Sequence, residues 1–260
     1  MARLDSTLTA NGIARSRERA KEMIKNGSIK VNGITVKKPS YEVSESDSIE
    51  SSETEKYVGR GALKLETAYS EFSLDFTGMT CIDIGASTGG FTQFMLEHGA
   101  ERVFAVDVGH GQLAESLRND RRVVNMEGTD ARSITAEDTG GQADFICADV
   151  SFISLELVLP KIYELLKDGK VSAVLIKPQF EVGRKYIGKN GVLKDPKAHE
   201  AVLKKIDRIA IELGFTAEKY VSSGVKGGSG NTEYLVKLVK KRSEPVIHDF
   251  RRLVTQSLII

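Results

Sequence analysis

The amino-acid sequence predicts an α/β protein, with a mostly parallel sheet covered by helices on both faces and a small α+β module in front of it. Three observations predict this. From about residue 80 onward, apolar strand-like runs alternate with helical segments. The first of those runs ends in a glycine-rich loop that opens a helix. The first fifty residues read instead as two short helices and a hairpin. Alternation of strand and helix is the pattern of a parallel sheet, whose ligands bind at the carboxyl ends of the strands. At 260 residues the chain has room for one or two domains.

The module comes first. Asp5 is placed to cap a short helix that ends at Asn11-Gly12. Ser16 is placed to cap a second, which ends at Asn26-Gly27, where glycine supplies a left-handed stop. Ile29-Lys30-Val31 and Ile34-Thr35-Val36 flank Asn32-Gly33, a strong hairpin signal, and a further strand is expected near 48–50. The net charge of the whole chain is only +1, but it is unevenly spread. Residues 1–38 carry nine basic side chains against three acids, and residues 39–55 carry six acids and no base. The second helix gathers Arg15, Arg17, Arg19, Lys21 and Lys25, with Arg17, Lys21 and Lys25 on one face. A solvated helix face would look the same. The combination Arg3-Leu4-Asp5, Ser16-Arg17, Ala20, Ile24, Gly27 and Val31-Asn32-Gly33 is more specific. It resembles the RNA-binding module named after the fourth protein of the small ribosomal subunit. The resemblance covers residues 1–52 and implies phosphate contacts by Arg3, Arg15, Arg17, Arg19, Lys21, Lys25 and Lys30. Residues 53–58 read as a linker.

The second domain is expected over residues 59–243. Its candidate strands are 80–83, 102–107, 123–126, 143–149 and 171–177, followed by 215–221 and 233–239. A helix is expected from about 196 to 213. The first strand runs into Asp83-Ile84-Gly85-Ala86-Ser87-Thr88-Gly89-Gly90-Phe91. Glycines there let backbone approach a ligand closely. A dinucleotide fingerprint needs a glycine where Ser87 stands, and an acid such as Asp83 is awkward beside a pyrophosphate. S-adenosylmethionine, with an ammonium and a sulfonium and no phosphate, suits the loop better. Its candidate contacts are Asp83, Gly85, Ser87, Thr88, Gly89, Gly90 and Phe91. Asp107, ending the second strand, is placed for ribose hydroxyls, though NAD enzymes share that feature. Asp130, after the third, is placed for the adenine amino group or for a loop cap.

Four further positions carry the chemistry. Lys64 follows Arg60-Gly61-Ala62-Leu63, ahead of the first strand. Asp149 ends the fourth strand, Lys177 ends the fifth, and Glu233 opens the last. Strand ends of one parallel sheet share a rim, so these groups can meet beside the cofactor. A lysine that ends an apolar strand and precedes proline is unusual, since buried lysines are scarce unless paired.

The order Lys64, Asp149, Lys177, Glu233 resembles the tetrad of FtsJ-type 2′-O-methyltransferases. The strings Arg60-Gly61-Ala62-Leu63-Lys64-Leu65, Asp149-Val150-Ser151-Phe152-Ile153-Ser154 and Lys177-Pro178-Gln179-Phe180-Glu181 are similar to those of the TlyA family, which joins the same module to an FtsJ-like domain. The resemblance reaches to about residue 242. It implies a Rossmann-like methyltransferase domain with a mostly parallel seven-stranded sheet, last strand antiparallel. It also implies 2′-O-methylation of ribosomal RNA, at cytidine, with S-adenosylmethionine as cofactor and ribosomal RNA or subunits as partner. Lys177 is then the base or oxygen activator, Lys64 a second cation that orients the hydroxyl, and Asp149 and Glu233 the partners of the lysines. Asp149 also faces the cofactor. The linker lacks a tryptophan found in some members.

Other classes fit less well. Haemolysin names within the family suggest membrane lysis, but no apolar run approaches a span and the N-terminus has no hydrophobic signal core. A binding-only ribosome-assembly factor would not need the tetrad. Cys81 and Cys147 sit in apolar runs and read as reduced thiols of a cytoplasmic protein. The four histidines are scattered, and no metal is expected. The basic loop 183–191 reads equally as a lid over RNA or as a solvated loop. Residues 222–231 read as a flexible glycine/serine stretch, and the apolar tail, 244–260, is expected to dock at a place the sequence does not disclose.

Overall fold

The structure is a computed structural model that describes residues 2–14, 16–52, 56–183, 186–188, 190–227 and 229–259. Arg15, Arg184, Lys185 and Lys189, and residues 53–55 of the expected linker, lie outside the described residues. The chain divides into two compact units, Met1–Val58 and Gly59–Ile260.

In the first unit, β1 (Ala2–Arg3) pairs antiparallel with β4 (Glu42–Val43). Helices α1 (Leu4–Ala10) and α2 (Arg17–Asn26) pack over a three-stranded sheet of β2 (Ile29–Val31), β3 (Ile34–Thr35) and β5 (Ile49–Ser51), in the order β3-β2-β5. Leu4, Leu8, Ala20, Met23, Ile24 and Ile29 are fully buried between them. Ser16 accepts a hydrogen bond from the Arg19 N–H, and Gly27 stops α2 at φ 80°. Asn32 and Gly33, at φ 51° and 77°, turn the hairpin, since a tight hairpin turn of this hand needs both residues at positive φ.

Asp5 departs from the expectation. Arg3 is the residue at the cap position, and Asp5 lies inside the first turn of α1 with its side chain fully buried. Arg3 Nη2 approaches it to 2.8 Å and Arg17 Nη2 to 3.4 Å. The Arg3 hydrogen bond, against the cost of burial and with help from Arg17, holds the Asp5 carboxyl well below the usual carboxylate range. A buried carboxylate persists only with such partners, so this acid ties the two helices together.

The second unit opens with α3 (Gly61–Phe72), followed by β6 (Thr80–Ile84), α4 (Gly90–Glu97), β7 (Arg102–Asp107), α5 (Glu115–Arg118), β8 (Val123–Glu127) and β9 (Ala143–Ala148). A 3-10 turn at Leu155–Leu157, α6 (Leu159–Leu165), β10 (Leu166–Ile176), α7 (Pro178–Glu181), α8 (Pro196–Leu213), β11 (Thr216–Ser222), β12 (Tyr234–Val239) and α9 (Phe250–Ile259) complete it. The seven strands lie in the order β11-β12-β10-β9-β6-β7-β8. The five from β10 to β8 are parallel, and β12 runs antiparallel between β10 and β11.

The chain winds outward from β6 in one direction through β7 and β8, then returns to add β9 and β10 on the other side. The crevice therefore opens at the carboxyl ends of β6 and β9, where the strand order reverses. The tail docks as α9, with Phe250 and Val254 buried against the core that includes Leu203 and Ala217. The ends of the stretch expected to be flexible are anchored: Ser223 and Asn231 are buried, and the Ser223 N–H donates to the Glu233 carbonyl at 2.9 Å. Among the described residues, no helix is long and apolar enough to cross a membrane.

Candidate active site

Sheet register brings the four charged residues to one rim. Ile176 of β10 pairs with Tyr234 of β12, so Lys177 and Glu233 are the next positions along that antiparallel pair. Val174 pairs with Ala148 of β9, and Asp149 follows. Lys64 projects from the first turn of α3. Its Nζ lies 2.8 Å from Glu233 Oε2 and 3.4 Å from Asp149 Oδ2. Lys177 Nζ lies 2.6 Å from Asp149 Oδ1 and donates to Ser151 Oγ at 2.8 Å. Asp149 thus stands between the two lysines, and the quartet is formally neutral.

Burial alone would lower the pKa of Lys64, but the charges of Asp149 and Glu233 and their hydrogen bonds outweigh it and raise the pKa above its ordinary value. A cavity of about 710 Å3 opens onto the cluster. Lys64, Lys177, Gln179 and Glu233 line it, with Ser151, Phe152, Phe180 and Asn231 among its walls. The two aromatic rings stand 4.7 Å apart at its mouth.

A second cavity, of about 340 Å3, lies at the carboxyl ends of β6, β7 and β9. Ser151 and Phe152 form a wall common to both cavities. Its lining includes Gly85, Ser87, Asp107, Gln112, Asp130 and Asp149, with Val106, Val108 and Ile153 as apolar surface. Three carboxylates and no lysine or arginine line this cavity. That donor set fits a ligand with an ammonium and a sulfonium, and repels a pyrophosphate.

Asp107 accepts hydrogen bonds from the Ser87 and Gly109 N–H groups at 2.8 and 2.7 Å, which fixes the loop on either side of it. Glu127, held down to about 2 by the Leu113 N–H, the Asn125 amide and the Gln112 N–H, anchors the next segment. Asp130 is gripped by Arg132, which lowers its pKa to about 2.

Five residues expected at the cofactor are not among those lining this cavity. Asp83 is fully buried under the loop, out of the cavity lining. Thr92 Oγ1 of α4 donates to it at 2.7 Å, and Cys147 Sγ lies 3.7 Å away. Burial pushes its pKa up to about 7. Thr88, Gly89, Gly90 and Phe91 also lie outside the lining. They pack against protein: a Cβ on Gly90 would lie 3.0 Å from the Gly59 carbonyl oxygen and the Ala62 nitrogen. Gly85 lines the cavity, yet its close approach is also to protein, since its Cβ would lie 2.5 Å from the Asp149 carbonyl oxygen.

Sequence reasoning missed Ser151 and Gln179. Gln179 Nε2 donates to Glu233 Oε1 at 3.0 Å, while its Oε1 is buried with no hydrogen-bond partner. Both residues sit within two positions of a strand-end charge, which was the available signal.

In the first unit, Arg17, Lys25 and Lys30 are exposed. Arg19 pairs with Glu22 at 3.0 Å and Lys21 with Glu18 at 3.8 Å. Arg3 and Arg17 also hold Asp5.

A parallel sheet reversed at an acid-lined cavity, with a lysine-carboxylate cluster beside it, defines a methyltransferase, and the comparisons place it. The FtsJ-like methyltransferase family profile matches residues 57–240, and the S4 domain profile matches residues 2–49. The chain belongs to the TlyA family of FtsJ-like methyltransferases. It is 43% identical over 237 residues to the 16S/23S rRNA (cytidine-2′-O)-methyltransferase TlyA of Mycobacterium tuberculosis, covering 90% of this chain and 88% of that one. It is 40% identical over 238 residues to Hemolysin A of Brachyspira hyodysenteriae, covering 91% and 99%. A solved structure from Streptococcus thermophilus that carries the hemolysin name superposes with a TM-score of 0.80 at 39% identity, covering 98% of this chain and 94% of that one.

Proposed function

We propose that this enzyme transfers a methyl group from S-adenosylmethionine to the ribose 2′-hydroxyl of cytidines in ribosomal RNA, in the cytoplasm, with residues 1–52 holding the RNA. The observation that carries the reading is the Lys64–Asp149–Lys177 chain of ion pairs, which opens on one cavity and shares a wall with another lined by acids. The cofactor supplies an electrophilic methyl group when bound.

A 2′-hydroxyl is a poor nucleophile while it keeps its proton, so the site must align the oxygen and give the proton a route. Lys177, an ammonium while paired with Asp149, first releases a proton to solvent; its neutral amine, held in place by Asp149 and Ser151, then takes the hydroxyl proton. Lys64 remains charged between Asp149 and Glu233 and orients the oxygen. Gln179 steadies Glu233 and offers its free amide oxygen to a sugar hydroxyl. Asp107, Asp130 and Asp149 would hold the cofactor's ribose, adenine and methionine ends, and Gly85 and Ser87 would contribute to the same site. Arg17, Lys21, Lys25 and Lys30 meet phosphates, a sequence-tolerant contact suited to structured RNA.

Calorimetry with S-adenosylmethionine and with NAD, followed by tritiated methyl transfer to unmodified ribosomal RNA, tests the reading. The expected result is saturable binding of the first ligand alone and label in RNA. Lys177→Ala is expected to bind cofactor normally and to lose transfer by about 10²-fold or more. Cofactor binding without transfer by the parent chain would identify an RNA-binding assembly factor, and NAD binding an oxidoreductase.

A further inference from the structure

Glu181 ends α7, four residues beyond Lys177, and touches neither of the lysines. Its side chain is only 2% exposed. Oε1 accepts the Leu155 N–H at 2.7 Å, and Oε2 accepts the Ser154 hydroxyl at 2.7 Å. Lys205 of α8 supplies the opposite charge at 3.3 Å, and also lies 3.1 Å from Glu156. A buried carboxylate with this many partners is fixed in place.

What it holds is the wall between the two cavities. At one end of that wall the Asp149 N–H donates to the Ile84 carbonyl at 2.8 Å. At the other end the backbone is joined to the rest of the rim through Glu181. Between these points lie Ser151, the hydrogen-bond partner of Lys177, and Phe152. Phe152 has φ 63° and is 89% exposed. A bulky side chain at positive φ is strained, and such a conformation lasts only when its surroundings impose it. The exposed ring meets Phe180 of α7 at 4.7 Å, so the imposition comes from that contact together with the fastened ends of the turn.

We propose that Glu181 is a positioning residue for methyl transfer: it clamps the 150–155 turn to the strand end that carries Lys177, and so keeps Ser151 aimed at the Lys177 amine. The inference rests on the proposed transferase activity and assigns Glu181 no contact with substrate.

The test compares Glu181→Ala and Glu181→Gln in the full chain. It measures kcat and KM for RNA, the pH profile of kcat, and hydrogen exchange at the Leu155 amide. In Glu181→Ala, kcat is expected to fall about a hundred-fold with KM changed by less than about threefold, because misplacement of about 1 Å costs that much. The Leu155 amide exchanges faster, and the pH profile moves as Ser151 leaves Lys177. Glu181→Gln restores most of kcat, since its amide oxygen can still accept from Leu155 and its NH2 can donate to Ser154. Retention of kcat by a folded Glu181→Ala protein overturns the inference, and so does a Gln variant no better than the Ala one. If Glu181→Ala does not fold, Lys205→Met, which removes the countercharge to Glu181 along with the contacts to Glu156 and Ser154, must lower kcat; an unchanged kcat there also overturns it. A parent chain that transfers no methyl group removes the underlying reading as well, whereas an active parent with an active Glu181→Ala removes this inference alone.

Discussion

Lys64 Nζ sits within 3.4 Å of two carboxylates, at a position from which most water is excluded. Burial and charge act in opposite directions on it, and charge prevails. Removing it leaves Asp149 facing Lys177 alone and Glu233 with only an amide partner. Lys64→Met is therefore expected to cost about 3–5 kcal/mol of stability, measured by urea unfolding, along with activity. Asp83 poses the opposite case. Its folded pKa, about 7, lies above its ordinary value, because burial disfavours the carboxylate. The folded protein then holds a proton that the unfolded chain has released, so this group's stabilising contribution is complete below about pH 4 and is lost as pH rises toward 7. Asp83→Asn is expected to remove up to about 1.4 kcal/mol per pH unit of falling stability within that window. Equal slopes in parent and variant would contradict it. The burial of Asp83 beneath the loop was not legible in the sequence. Neighbouring strand residues point to opposite faces, and adjacency to a glycine loop does not reveal which face a ligand occupies.

At the scale of the element, glycines of the loop approach other protein backbone closely. Gly85 combines φ 84° with a would-be Cβ 2.5 Å from the Asp149 carbonyl oxygen, so the ends of β6 and β9 meet only because it lacks a side chain. Gly85→Ala is expected to weaken S-adenosylmethionine binding at least about fivefold, through a strain of roughly 1–3 kcal/mol. Gly169→Ala serves as the control, with positive φ but open space around it and a place in β10 away from the rim. Equal calorimetric affinity in both variants would count against the account. The long elements were legible in the sequence. Helix α8 and all seven strands of the sheet stand where hydrophobic patterning places them, apart from shifts at their ends. β1 and β4 were not, because a two-residue strand has no period. Lys177 was legible as a charge closing an apolar strand, whereas Ser151 and Gln179 look ordinary until the pairing of β10 with β9 and β12 brings them to the rim.

At the scale of the whole molecule, the two units differ in the charge they present. The N-terminal unit presents exposed cations, while the smaller cavity at the rim of the second unit is lined by acids. Replacing Lys21, Lys25 and Lys30 together by Gln is expected to raise KM for ribosomal RNA and to reduce the dependence of log KM on log salt by roughly two to three units, with cofactor affinity unchanged. An unaltered salt slope would move the RNA contact elsewhere. The chemistry of the product decides the central claim. Ribosomal RNA treated with the parent enzyme and S-adenosylmethionine, digested to nucleosides and weighed by mass spectrometry, should contain 2′-O-methylcytidine, and RNA treated with Lys177→Ala should contain almost none. A methyl group on the base, or undiminished ribose methylation by Lys177→Ala, would contradict the account.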